Sequence, residues 1–248
     1  MSTTQTAKRP RIARASKSPA ADAAPWILAV VGQKGGVGKS TIAICLAVEA
    51  MVRGRRVLLV DADPQGTTRM WGDAATGGGH PAPTVVSMGS GMVKPGQLDA
   101  LIGGYDLVVI DCPGRHDETQ RAALMLCNLA LLPCGPSSTD SWALASSVAL
   151  IADGRRARPE RPLRAVVVVS RTKPRTALGQ SARAAIAEAS GLPVLEAQIG
   201  DRIAYQEAIG FGKGITTYAP RDAGAAEMRA LYDEIFSSDK KEVNPRGR

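Results

Sequence analysis

The residues with the chemistry to hold a phosphate chain come early and together: Gln33-Lys34-Gly35-Gly36-Val37-Gly38-Lys39-Ser40-Thr41. They follow the apolar run Ile27 to Val31 and precede the apolar-periodic stretch Ile42 to Met51. A strand, a glycine-rich turn and a helix start form the setting that a phosphate-binding loop needs. Glycines let the chain curl until consecutive N–H groups point inward at phosphate oxygens, helped by the positive end of the helix. Lys39 is placed to reach the β- and γ-phosphates, and the Ser40 hydroxyl to ligate Mg²⁺. The strict pattern G-x-x-x-x-G-K-[ST] is missed at one place, because Gln33 stands where its first glycine belongs. Beside it the loop carries a second lysine, Lys34.

Two acidic segments complete a nucleotide site. Val60-Asp61-Ala62-Asp63-Pro64-Gln65-Gly66-Thr67 and the run Tyr105 to Gly114 each put an aspartate at the C-terminal end of an apolar stretch. That edge is where open α/β sheets bind ligands. Mg²⁺ keeps several waters and wants few carboxylates, so Ser40 with one or two acids suffices. Asp111, which ends the run Leu107 to Ile110, is the candidate for its water shell.

The elements that must position these groups are legible as alternating short apolar runs and helical patterns. Strands are expected at 27–31, 56–60, 84–87, 105–110, 129–133, 164–169 and 194–198. Helices are expected at 39–53, 96–102, 117–127, 140–153, 177–190, 201–209 and 223–236. Gly54 ends the first helix, Gly191-Leu192-Pro193 a later one, and Pro133 closes a strand. Val57 to Val60, Leu107 to Ile110 and Ala165 to Val169 are apolar on both faces. Such strands imply a mainly parallel, twisted sheet covered by helices on both sides.

With 248 residues, 44% of them hydrophobic, the chain can bury a full core. The expected organisation is a basic arm at 1–25, one α/β domain at 26–236 and a polar tail at 237–248. No apolar run approaches the roughly 20 residues that span a bilayer. The four cysteines, Cys45, Cys112, Cys127 and Cys134, follow no zinc or disulfide spacing and read as small core residues of a cytoplasmic protein. A net charge of +8 invites an anionic partner, and Lys8, Arg9, Arg11, Arg14 and Lys17 concentrate charge in the arm.

The loop lysine Lys34 followed by Gly-Gly-x-Gly-Lys-Ser, the D-x-D-P-Q-G segment at 61–66 and Asp111 resemble the ParA/MinD group of deviant Walker A ATPases, in particular the small ParA class. The likeness covers roughly residues 26–236. It implies a P-loop NTPase fold, ATP and Mg²⁺ as cofactors, and a homodimer formed on ATP binding. It implies that Gly35, Gly36, Val37, Gly38, Lys39, Ser40 and Thr41 cradle the nucleotide, and that Lys34 crosses the dimer interface to the partner's phosphates. By the same resemblance Asp63 places the attacking water, Asp61 sits near the metal, Gly114 senses the γ-phosphate, and Arg171 and Pro220 lie near the adenine. Members of the group bind DNA non-specifically as ATP-bound dimers. Lys173, Arg175, Lys213, Arg221 and Arg229 are the basic residues in the C-terminal half that would form such a stripe. Backbone electrostatics rather than base stacking is the expected mode, given two Phe and few other aromatics.

The function implied is segregation of plasmid or chromosomal DNA on the nucleoid, with a ParB-like partner stimulating a weak intrinsic ATPase. The alternative is a ParA/MinD-like ATPase that positions a non-DNA cargo or a division regulator. A MinD-like membrane anchor wants an apolar helix face that Ser237 to Arg248 lacks. An iron-protein-like reductase wants cysteine segments that are not found, and a tyrosine kinase wants a C-terminal tyrosine cluster.

Overall fold

The computed structural model describes residues 24–115, 117–173 and 177–242. Seven strands, β1 (Trp26–Val30), β2 (Val57–Asp61), β3 (Thr84–Ser87), β4 (Leu107–Asp111), β5 (Leu129–Cys134), β6 (Arg164–Thr172) and β7 (Val194–Gly200), form one sheet in the order β3-β2-β4-β1-β5-β6-β7. Every pairing in it is parallel. Between the strands run α1 (Lys39–Val52), α2 (Thr67–Gly77), α3 (Leu98–Leu101), α4 (Asp117–Leu126), α5 (Ser138–Ala157), α6 (Ala177–Ser190), α7 (Ile203–Gly210) and α8 (Ile215–Tyr218), and α9 (Ala223–Glu242) closes the fold.

Alternate residues of each central strand feed two separate cores. Ile27, Ala29, Leu58, Val60, Val108 and Ile110 face the cluster that includes Leu124 of α4, Ile151 of α5 and Ile186 of α6. Leu28, Val30, Leu59, Val109 and Leu131 face α1, α7, α8 and α9 through Ile44, Ala208, Ile215 and Leu231. Period-two side chains that are apolar on both faces can be satisfied only by helices on both sides, which is the layered sandwich expected. All four cysteines are buried free thiols within it.

Among the local differences from the expectation, three stand out. Helix α2 stands where no helix is expected: Gly66 caps it in the left-handed conformation and it carries Gly72 and several threonines, all poor helix signals. Tertiary packing holds it instead. Trp71 is buried, and its indole N–H donates to the Lys213 carbonyl at 3.2 Å. Second, Pro133 does not close β5. It pairs with Val168, and the strand runs on to Cys134. Proline is tolerated there because β1 has already left the sheet: its pairing with β5 ends at Val30 opposite Leu131. Third, α9 continues past 236 to Glu242, so the polar tail begins as helix. Residues 1–23 of the basic arm and 243–248 lie outside the described residues.

The turn after α7 clamps α2 to the body. Gly212 has φ +66°, and a Cβ added there would lie 2.5 Å from the Ala75 nitrogen. Both backbone conformation and space demand glycine. Gly212→Ala is expected to destabilise the protein by about 2–3 kcal/mol, lowering Tm by roughly 5–10 °C. Thermal unfolding followed by circular dichroism checks this, and an unchanged Tm would show the clamp to be loose.

Candidate nucleotide site

Parallel register brings the chemistry to one height. Val30 pairs with Asp111 and Asp111 pairs with Asp61, so the exit into the glycine loop and both aspartates lie level on adjacent strands. Beyond β1 the chain leaves the sheet as the loop 31–38. Gly36 at φ +74° and Gly38 at φ +89° take the left-handed conformation that the curl requires. Val37 is buried, and its carbonyl accepts from the Ser170 hydroxyl at 2.9 Å. Gln120 of α4 ties the loop's entry to the loop after β4: its side chain accepts from the Gly32 N–H at 3.1 Å and donates to the Pro113 carbonyl at 3.0 Å.

Lys39, the first residue of α1, is 7% exposed, and its ammonium donates to the Lys34 carbonyl at 2.8 Å. Burial lowers its pKa, while Asp111 and Asp63 oppose the shift. Gly114 packs against it: a Cβ on Gly114 would sit 3.3 Å from the Lys39 ammonium and 3.5 Å from Gly35. The loop after β4 therefore rests directly on the phosphate-binding loop. Arg115 follows it, exposed.

Asp111 is fully buried, and one carboxylate oxygen accepts from the Thr68 hydroxyl at 2.7 Å. The other, Oδ1, has no hydrogen-bond partner among the described residues. Burial pushes its pKa up to about 7; the Thr68 and Ser40 hydroxyls and Lys39 act against that, and Asp61 adds to it. A buried carboxylate oxygen without a donor, beside the Ser40 hydroxyl, is the donor set that a hydrated Mg²⁺ needs. Asp61 is used differently. Its oxygens accept the N–H groups of Asp63 at 3.1 Å and Arg69 at 2.7 Å, so it shapes the turn that presents Asp63 and starts α2. Burial raises its pKa, and those two N–H groups pull it back. Asp63 is half-buried, with its Oδ1 accepting from the Gln65 N–H at 2.9 Å.

A cavity of about 310 Å³ adjoins the loop, lined by Gly36, Gly38, Thr41, Ser170, Arg171, Asp201, Tyr205 and Gln206 among others. Arg171 lines it and is the one non-glycine residue with positive φ, +55°, among the described residues. The register between β6 and β7 slips beside it, and its guanidinium donates to the Gly36 carbonyl at 2.9 Å. A strained residue at an irregular strand end is how a sheet re-aims a side chain toward a site. Pro220 does not line this cavity; it lies exposed after α8, with its carbonyl accepting from Arg229 at 2.9 Å. Asp201, Tyr205 and Gln206 line it instead, and sequence reasoning misses them because they come together only when β7 turns into α7.

Lys34 forms an ion pair with Asp140, in the first turn of α5. Sequence reasoning passes over Asp140, although Ser137-x-x-Asp140 has the spacing of a capping box. Of the basic residues expected to meet DNA, Arg221 and Arg229 share the corner between α8 and α9. Lys213 lies in the turn before α8, and Lys173 directly follows β6. Arg175 lies outside the described residues. Among the described residues no helix is long and apolar enough to cross a membrane.

A family model described as the CobQ/CobB/MinD/ParA nucleotide binding domain matches residues 28–215. The maintenance of carboxysome distribution protein A of Halothiobacillus neapolitanus is 34% identical over 216 residues, covering 86% of this chain and 97% of that protein. The chromosome-partitioning ATPase Soj of Thermus thermophilus is 29% identical over 236 residues, covering 85% and 95%. Among solved structures, apo McdA of Cyanothece superposes with a TM-score of 0.69 at 16% identity, covering 85% of this chain and 99% of that one. MinD of Pyrococcus horikoshii with Mg-ADP gives 0.67 at 20% identity, covering 89% and 99%.

The raised Asp111 pKa has a direct consequence for the nucleotide-free protein. The native state keeps this proton between the ordinary value of 3.8 and about 7, so its contribution to stability falls as pH rises through that window and is flat above it. Asp111→Asn is therefore expected to raise Tm at pH 8 relative to the parent, by at most about 4 kcal/mol in stability, with little effect at pH 4. The same variant should lose Mg²⁺-dependent nucleotide binding. Thermal scans across pH, without nucleotide or metal, check the first expectation, and a lower Tm at pH 8 would contradict it.

Proposed function

The chain belongs to the CobQ/CobB/MinD/ParA nucleotide-binding family, and on that premise we propose that it is an ATPase of the ParA type that positions a protein assembly, rather than DNA, within the cell. ATP and Mg²⁺ are its cofactors, and its working form is an ATP-bound homodimer. The observation that carries the choice of cargo is the likeness, at 34% and 33% identity over nearly their whole lengths, to two proteins named for maintaining carboxysome distribution. DNA segregation, the leading expectation from sequence, becomes the second reading. It is favoured by the matches to Soj and to ParA proteins at 26–29% identity.

In this reading the loop N–H groups from Gly35 to Thr41 and the Lys39 ammonium hold the β- and γ-phosphates, and Ser40 and Asp111, with Asp61 nearby, hold the metal. Mg²⁺, when bound, neutralises charge between the phosphates. Asp63 orients the attacking water, and Lys34 supplies positive charge across the dimer. Non-specific DNA serves as the track, met by Lys173, Lys213, Arg221, Arg229, Arg175 and the basic arm through phosphate contacts. The protein is then cytoplasmic and nucleoid-associated, and a cargo-bound adaptor in the role of ParB stimulates hydrolysis and release.

Lys39→Ala is expected to weaken ATP binding about 10–100-fold, because it removes a charge-assisted contact in a buried setting. Asp63→Ala should retain ATP binding and lower turnover about 100-fold or more, leaving a long-lived DNA-bound dimer. Normal adaptor-stimulated turnover in Asp63→Ala would sink the assignment of that residue. The cargo is tested in the host by deleting the gene. Protein microcompartments or comparable assemblies should collapse into clusters while plasmid and chromosome inheritance stay at parental rates. Elevated plasmid or chromosome loss with evenly spaced assemblies would favour the second reading.

A further inference from the structure

Lys34 has two partners in its own subunit. Its carbonyl holds the Lys39 ammonium, and its side chain is ion-paired with Asp140. Asp140 is built to receive it. One carboxylate oxygen accepts from the Ser137 hydroxyl and from the Ser137 N–H at 3.2 Å, which closes the capping box of α5. The other oxygen is left for Lys34. Gly135 is required beneath the carboxylate, since a Cβ there would collide with it. Burial opposes ionisation of Asp140, but the Lys34 ammonium and the Ser137 hydroxyl hold its pKa below the ordinary carboxylate range. The pair lies in a cavity of about 270 Å³ on the flank of the loop, with Pro136 and Arg171 among its walls.

A lysine that must neutralise phosphates on a second copy of the chain cannot at the same time stay bound to an acid in its own. We propose that Asp140 is a positioning residue that acts through Lys34: it retains the loop lysine on its own subunit until ATP-driven dimerisation draws it across. The proposal rests on the reading of Lys34 as the residue that acts between subunits. The Asp140 side chain is only 13% exposed and that of Lys34 37%, so the pair is partly shielded from solvent and its rupture opposes dimer formation. Because Ser137 keeps its own bonds to the carboxylate, the start of α5 remains capped when Lys34 leaves. The retention is therefore separable from the integrity of the helix.

Asp140→Asn removes the charge and keeps an acceptor for the Ser137 N–H. With a non-hydrolysable ATP analogue and Mg²⁺, sedimentation analysis of the full chain is expected to show dimer at about 5- to 10-fold lower protein concentration than the parent, with ADP affinity unchanged. Ser137→Ala, which breaks the cap and leaves the ion pair, should lower Tm without moving that threshold. If Asp140→Asn dimerises at the parental concentration or a higher one, retention by Asp140 is refuted. It is refuted equally if Ser137→Ala shifts the threshold as far as Asp140→Asn does. Lys34→Ala separates the two levels: it should bind the analogue and stay monomeric. Should Lys34→Ala dimerise like the parent, the reading of Lys34 between subunits fails, and the role of Asp140 fails with it.

Discussion

The level pairing of Val30, Asp111 and Asp61 across β1, β4 and β2 is the constraint on which the site depends. A one-residue slip of β4 would turn Asp111 to the opposite face of the sheet, away from Ser40 and Thr68. Parallel strands buried on both faces resist such a slip, because every residue from Leu107 to Ile110 is already packed in one of the two cores. The hydrophobic pattern therefore does more than make a sheet. It sets the height at which a carboxylate, a helix start and a glycine loop meet.

Burial is then turned to chemical use. Lys39 and Asp111 are both taken from water, and each is pushed toward its neutral form, Lys39 downward and Asp111 up to about 7. Neither group has a full counter-charge of its own: Lys39 rests on a carbonyl, and Asp111 keeps one oxygen without a donor. In a setting of low dielectric, such groups gain strongly when a ligand supplies the missing charge. A phosphate chain offers negative charge to the lysine, and a hydrated metal offers positive charge to the aspartate. A nucleotide with its metal would satisfy both, and either one alone would satisfy half the site.

Much of this is legible in the sequence, for identifiable reasons. The seven strands are short apolar runs punctuated by turn residues, and the loop at 33–41 is a local motif whose chemistry does not need the rest of the chain. The aspartates at 61, 63 and 111 are legible because each ends or follows such a run. What escapes depends on distant contacts. Helix α2 is held by Trp71 against the Lys213 carbonyl and by the close approach of Gly212 to Ala75, neither visible in its local composition. Pro133 sits in a strand because β1 departs two residues earlier, which only the strand order explains. The cavity beside the loop draws on Ser170 of β6, Asp201 after β7 and Tyr205 of α7, which distant parts of the chain supply, and Pro220, chosen by likeness alone, does not line it.

The entry of the phosphate loop is fastened through its backbone before the glycines begin. Gln33 donates its N–H to the Ser147 hydroxyl at 3.1 Å, while Gly32 is held by Gln120, so the loop's entry is fastened to α5 and α4 before the glycines begin. Gln120 also holds Pro113, one residue before the glycine that rests on Lys39. Lys34 completes the set by reaching α5 through Asp140. The phosphate loop, the loop after β4 and helix α5 are thus joined by side chains. A change there is felt by three elements at once, as a switch requires if hydrolysis at one point is to alter a whole surface. In a P-loop with glycine at 33 and no lysine at 34, the tie between Lys34 and α5 would be missing.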